Sequence, residues 1–229
     1  YDIGLAVGQF YPNTVLYKMT ILDLPFALGN ADDHMHAARV AERYMNEVVG
    51  PEIEKELGLK LIGSYLVDPA VLLSPEPIRT VSDMEKKRTY LQAATWEKIL
   101  TAWGAVPVSM SVEDVYTALD RGTLDIGVYA LAGMSSQKLH ETAPYITFLP
   151  TSNIAGAILM NMDSYNSMPE ELQQKFESDF KARLTELSNQ AFAEQQTDSL
   201  EAIEKEIEGK GEIIYPTDDA IKEFMAPAK

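Results

Sequence analysis

Two segments far apart in the chain repeat one local unit: Tyr1-Asp2-Ile3-Gly4-Leu5-Ala6-Val7 and Leu124-Asp125-Ile126-Gly127-Val128-Tyr129-Ala130. Each is a short apolar strand carrying Asp-Ile-Gly. A glycine inside a strand marks a place where another stretch of backbone or a ligand comes close. Two copies of one unit predict two similar α/β lobes facing each other across a cleft. The second copy has a run-up, a helix through Val115, Ala118 and Leu119 and then an Arg121-Gly122 turn. Nothing precedes the first copy, so the fold's opening strand and helix elements are expected to be missing here.

Between the copies, strand-like and helix-like stretches alternate, the pattern of an α/β fold with open sheets. Asp32 or Asp33 is placed to cap a helix running to Leu57, with Met35, Ala38, Val40, Tyr44, Val48, Ile53 and Leu57 as its buried stripe. Pro51 is expected to break that helix. Residues 59–74 read as one long strand, able to carry the chain from one lobe to the other. Ser82-Asp83-Met84-Glu85 and Ser167-Met168-Pro169-Glu170 have capping-box spacing. Leu172, Phe176, Phe180, Leu184, Leu187 and Ala191, then Leu200, Ile203 and Ile207, mark a single long helix ended by Gly209. Such a helix is expected to touch both lobes. The expected division is 1–66 with 154–193 for lobe I and 67–153 with 194–229 for lobe II, with hinge strands between them.

Composition narrows the function. A net charge of −16 excludes nucleic acid, which needs basic stripes, and docking on an anionic membrane face. It leaves room for an anionic ligand, because an arginine acts at contact range while surface charge is screened over roughly 8–10 Å. The 46% apolar content is enough for a buried core. With no cysteine, disulfides, thiolate metal sites and cysteine nucleophiles are all excluded. No apolar run is long enough to span a bilayer, and no direct membrane insertion is expected. There is no Gly-x-Ser-x-Gly, phosphate loop or His-Glu-x-x-His motif, so no cofactor and no catalytic residue is expected. Asp32, Asp33, His34 and His36 look metal-like, but residues two apart on a helix diverge, and the reading is a solvated first turn with no metal. His140 stands as an isolated base candidate. The Glu-rich stretch after Glu194 reads as a solvated helix face.

Gly104-Ala105-Val106-Pro107-Val108, followed by Glu113-Asp114-Val115-Tyr116-Thr117-Ala118-Leu119-Asp120-Arg121-Gly122-Thr123-Leu124-Asp125, resembles the solute-binding proteins of tripartite ATP-independent periplasmic (TRAP) transporters. The family signature is Gly-Ala, a Pro-Val strand, a Glu-Val-Tyr-x-Ala-Leu helix, a glycine turn and Asp-Gly. This chain differs by one extra residue after Glu113 and by Ile126 within the Asp-Gly. Leu24-Pro25-Phe26, Asn161-Met162-Asp163 with Met168-Pro169-Glu170, and Gly211-Glu212-Ile213-Ile214 are similar to further family segments, in the same order. The resemblance implies a two-lobed periplasmic-binding-protein-like α/β fold with a long helix spanning both lobes. It implies a periplasmic protein that captures a small organic acid and delivers it to membrane permease subunits.

The resemblance also implies site residues. The family's anchor is an arginine in a Gly-x-Lys-x-Arg strand. In Asp83-Met84-Glu85-Lys86-Lys87-Arg88-Thr89-Tyr90 the arginine is Arg88, with the glycine absent. A buried carboxylate needs a paired charge, and a guanidinium supplies a two-pronged fork that lysine cannot reproduce. The family's second contact, usually asparagine, falls at Tyr129, which suits a less polar or aromatic acid. Tyr11, Asn153 and Tyr90 complete the expected ligand-binding set. Asp2 and Asp125 are read as structural. The alternatives to capture are a sensor or adaptor module of the same fold and a two-lobed α/β enzyme.

Overall fold

The computed structural model describes residues 2–24, 26–28, 34–91, 96–149 and 153–228, without the side chains of His34, Met35, Asp68, Asn153 and Ala228. The expected cap at Asp32 or Asp33 lies outside the described residues, as do the side chains of His34, Met35 and Asn153. The chain divides into two compact units, residues 1–23, 27–67 and 153–194 in the first, and 24–26, 68–152 and 195–229 in the second.

The first unit is built on β1 (Ile3–Val7), α1 (His34–Tyr44), α2 (Gly50–Leu57) and the first half of β2 (Leu59–Ser74). Its sheet order is β1, then the strand Asn153–Asn161 (β7 in the numbering below), then β2. β1 and that strand pair antiparallel from Ile3↔Met160 to Val7↔Gly156. The helix expected to break at Pro51 instead continues through a π turn, Met45–Val49, in which Gly50 N–H reaches back to the Met45 carbonyl. The extra residue absorbs the proline, whose missing N–H falls in the first turn of α2. It also resets the helix face. Ala41, Met45, Val49 and Ile53, spaced by four, are buried, while Val40 and Val48 of the predicted stripe are exposed.

In the second unit the other half of β2 is joined by β3 (Arg88–Tyr90), α3 (Glu97–Ala102), β4 (Val106–Val108), α4 (Val115–Asp120), β5 (Ile126–Ala130), α5 (Leu131–Ser136) and β6 (Tyr145–Thr147). β2 pairs antiparallel with β5, from Ala70↔Ala130 to Leu73↔Gly127, and with β6 on its other side. β3 runs parallel to both β4 and β5. Every residue of β5 is buried. Ile126 and Val128 pack into a cluster with Trp96, Trp103 and Phe224. Tyr129 packs into a separate cluster with Tyr90, Val71, Leu73 and Met134. The two glycines of the repeated unit differ in their surroundings. A Cβ on Gly127 would lie 3.1 Å from the Leu73 side chain, whereas one on Gly4 would meet nothing within 4 Å among the described residues.

The chain re-enters the first unit as β7 (Asn153–Asn161), α6 (Met162–Asn166) and α7 (Glu170–Lys175). A second π turn, Phe176–Phe180, joins α7 to α8 (Lys181–Ile207), whose later turns belong to the second unit together with β8 (Glu212–Ile214) and α9 (Asp218–Met225). Within the first unit α8 supplies polar partners to β2. Asn189 Oδ1 accepts the Leu66 N–H at 3.0 Å, its amide donates to the Ser64 carbonyl at 3.3 Å, and Thr185 Oγ1 accepts the Ser64 N–H at 3.2 Å. Within the second unit Ile203 and Ile207 are core. Neither predicted capping box forms as drawn. Thr80 with Asp83 makes the box two residues early. Pro169 caps α7 without a side-chain bond, because the Ser167 hydroxyl donates to the Ser164 carbonyl at 2.7 Å. No helix among the described residues is long and apolar enough to cross a membrane.

Candidate functional site

Because β3 and β5 run parallel, their carboxyl ends lie on one edge of the sheet, where open α/β sheets receive ligands. That edge carries Tyr90, the last residue of β3, and Tyr129, next to last in β5. Their rings stack with centroids 5.9 Å apart at 29°. α5 follows β5 without a loop, which brings Gln137 back over the strand end. Its side-chain amide donates to the Tyr129 hydroxyl at 2.7 Å. Gly133 permits that return, since a Cβ there would sit 2.9 Å from the Tyr129 ring. Both tyrosines are buried, and the Tyr90 hydroxyl has no hydrogen-bond partner among the described residues. Burial raises the pKa of both phenols, and the Glu113 carboxylate adds to the rise in each. In Tyr90 the neighbouring Tyr129 contributes as well, while in Tyr129 the bond from Gln137 acts the other way.

Arg88 lies at the opposite, amino-terminal end of β3. Its Nε donates to Asp125 Oδ2 and its Nη2 to Asp125 Oδ1, each at 2.8 Å, and Nη2 also donates to the Gly122 carbonyl at 2.7 Å. The backbones close the same loop. Arg88 N–H donates to Asp125 Oδ2 at 2.8 Å, and Asp125 N–H donates to the Arg88 carbonyl at 2.9 Å. The bond to Asp125 raises the Arg88 pKa, and the same bond holds the Asp125 carboxyl below its usual range. The fork expected to grip a ligand carboxylate therefore grips one from its own chain. Asp125 is structural, as expected.

The backbone explains the displacement. Lys86 adopts φ 61°, the left-handed conformation that favours glycine, immediately ahead of β3. A Gly-x-Lys-x-Arg pattern counted from that turn puts Arg88 at the lysine step and Tyr90 at the arginine step. Side chains alternate along a strand, so the two-residue shift keeps the face and moves the anchor position to the carboxyl end. The sequence reading placed Arg88 one motif step late because the marker glycine is replaced by lysine.

The remaining candidates are scattered. Tyr11 is exposed in the first unit, after the short turn Gly8–Phe10, and its carbonyl accepts from the Thr14 hydroxyl at 3.1 Å. Asn153 opens β7 in the same unit. His140 is buried, with Nε2 2.5 Å from Glu206 Oε2 and Nδ1 without a partner. No carbonyl or hydroxyl to be attacked or deprotonated adjoins it among its bonded partners. Asp2 accepts from the Ser164 hydroxyl at 2.6 Å, a structural role. The described residues contain no cluster able to hold a metal ion. A hollow of about 170 Å³ lies beside Asp125 and Lys87, but Arg88 and Glu76 (2.8 Å from Lys87) already take up those charges. Gln137, which bonds the Tyr129 hydroxyl, was not among the residues the sequence singled out. Only the immediate β5–α5 junction, with Gly133 one turn into the helix, could have indicated Gln137.

Comparison with known proteins agrees with this architecture. The ectoine-binding periplasmic protein TeaA of Halomonas elongata is 26% identical over 169 residues, covering 72% of this chain and 48% of that protein. The chain spans about half the length of the curated relatives it matches (47% and 48%). A TRAP periplasmic solute-binding protein from Desulfovibrio salexigens superposes with a TM-score of 0.84 at 21% identity, covering 99% of this chain and 67% of that one. The apo structure of TeaA gives 0.84 at 23% identity, covering 99% and 74%. These likenesses show the fold, α/β and two-lobed with a long helix, and they are to transporter binding components rather than to enzymes. The family described as bacterial extracellular solute-binding protein, family 7, matches residues 2–229, and the chain belongs to that family of TRAP solute-binding proteins.

Proposed function

We propose that this chain captures a small organic solute in the periplasm and delivers it to the permease subunits of a TRAP-type transporter. The observation that carries the reading is the family match over residues 2–229. Solved proteins of this fold hold β-D-galacturonate in one case and succinate in another, and TeaA is named for ectoine. In this reading residues 1–66 with 154–193 and residues 67–153 with 194–229 are the two lobes. Tyr90 and Tyr129 are the candidate ligand residues in the second, and Tyr11 and Asn153 keep that role by position in the first. Among the described residues no nucleophile–base pair accompanies them, and in this reading the bound solute leaves unchanged.

A thermal-shift screen of small organic solutes, followed by mass spectrometry of the recovered compound, tests this. A ligand present at a hundred times its dissociation constant stabilises by about 2.7 kcal/mol, or roughly 5–10 °C in a chain of this size. The expected result is such a shift with the compound recovered intact. Turnover of the compound, or no shift across a panel of acids, amides, sugars and zwitterions, removes the proposal.

A further inference from the structure

We infer that the ligand group received at the carboxyl ends of β3 and β5 is uncharged, such as an amide, hydroxyl or heterocyclic ring group, and that a free carboxylate is refused there. The inference rests on the capture reading above and assigns the substrate class at the same edge. It departs from the organic acid that the sequence predicts.

Three observations lead to it. The first is the fate of Arg88. Both of its engaged nitrogens are held at the amino-terminal end of the sheet by Asp125 and Gly122. Releasing the guanidinium for a ligand would cost its two bonds to Asp125 and the one to the Gly122 carbonyl.

The second is what stands in its place. The anchor step of the strand is Tyr90, and the neighbouring contact is Tyr129. A phenol donates one hydrogen bond and accepts others, and its ring offers a flat apolar wall. Tyr129 already accepts from Gln137, which leaves its own O–H proton free to donate. The Tyr90 hydroxyl is unpartnered among the described residues. The edge thus presents donors and acceptors without net charge, beside stacked rings 5.9 Å apart.

The third is the electrostatic setting. Among the described residues the bonded partner of these two phenols is the neutral Gln137 amide, and no lysine or arginine bonds to either. An incoming carboxylate would lose its water and, among the described residues that bond to these phenols, find no cation. Removing an anion from water without a paired charge is the costliest form of polar burial. An amide or hydroxyl meets the same donors and acceptors without that penalty. The chain's net charge of −16 adds a weak, salt-screened repulsion of anions at longer range.

The test is a screen of matched pairs on the full chain: succinate against succinamide, benzoate against benzamide, and orotate against uracil. Thermal shift finds the hits and calorimetry ranks them. The expected result is that hits fall on the neutral members, with each acid at least about tenfold weaker than its partner. Tyr90→Phe, which keeps the ring, is expected to weaken the neutral hit by up to about tenfold. Tyr90→Arg is expected to reverse the order within a pair. Because Tyr90 is nearly buried, the arginine variant is read only where its unliganded melting curve stays cooperative, and Tyr90→Phe decides otherwise. An acid binding the unaltered chain more tightly than its amide overturns the inference and leaves capture standing. So does a neutral hit whose affinity is indifferent to Tyr90→Phe. No hit from any pair overturns the inference, and capture stands or falls separately on the wider screen.

Discussion

The Asp125 carboxylate holds the Arg88 guanidinium at two points, with Oδ2 and Oδ1 each 2.8 Å from a nitrogen, and the two backbones bond to the same pair of residues. This clamp joins the starts of two parallel strands whose far ends carry Tyr90 and Tyr129. It fixes the register of Thr89↔Ile126 and Tyr90↔Gly127, and so the stacking of Tyr90 on Tyr129.

Removing the clamp is therefore expected to act on stability before binding. Arg88→Ala should lower the melting midpoint by about 1–3 °C at low salt and less at 1 M salt, since the pair is partly exposed. The pH dependence follows from Asp125, whose pKa Arg88 lowers. Where the folded carboxyl stays ionised and the unfolded one takes up a proton, stability rises with pH. The clamp's contribution is thus present above the usual carboxylate pKa and is lost as pH falls through the lowered value. Melting curves of Arg88→Ala and the unaltered chain should differ at pH 7 and draw together as the pH falls below the ordinary aspartate value of 3.8. A difference that persists undiminished in acid would contradict the assignment.

Asp23 carries the opposite sign. Its carboxylate accepts the Ala155 N–H at 2.8 Å but is otherwise buried in the first unit, and desolvation raises its pKa from 3.8 to about 6. Between those values the folded protein binds more protons than the unfolded one, so this group's contribution declines as pH rises from about 4 to 6. Asp23→Asn keeps an acceptor oxygen and removes the charge. It is expected to stabilise the protein by about 1–3 kcal/mol at pH 8 and to be near neutral at pH 4. Urea unfolding at the two pH values measures this. Equal effects at both would show that the charge is not the cause.

Asn189 is the third test. It accepts from Leu66 N–H and donates to the carbonyls of Ser64 and Thr185, standing in for a neighbouring strand along β2. Asn189→Leu leaves buried backbone groups without partners, and a loss of about 2–4 kcal/mol is expected. Thr185→Val removes one bond, with a loss of about 1 kcal/mol. Hydrogen exchange at Leu66 should accelerate in the first variant.

The readable parts of the chain were those where one local rule suffices. The run of residues 59–74 is the single strand β2, as its alternating first half and apolar second half indicate. The i, i+4 stripe after Leu172 is a helix of the expected extent, although a π turn at Phe176–Phe180 interrupts its α geometry. The caps were misplaced because Ser, Thr and Asp occur close together at both sites, and spacing alone does not choose between Thr80 and Ser82. α5 was not foreseen as a helix continuous with β5. Of the candidate residues, Tyr129 and Tyr90 were named and stack together, Gln137 beside them was not named, and Arg88, read as the ligand anchor, is bonded to Asp125.

By itself the sequence determined the alternation of strands and helices, the long helix, the family and the absence of thiol chemistry, because periodicity, motif order and residue types are local properties. Only the tertiary structure decided which end of β3 each side chain occupies. Lys86 holds a left-handed turn that its residue type disfavours, and Asp125, 37 positions after Arg88, captures that charge. A guanidinium binds whichever carboxylate the fold brings within hydrogen-bond distance, and that partner is set by strand pairing rather than by neighbours in sequence.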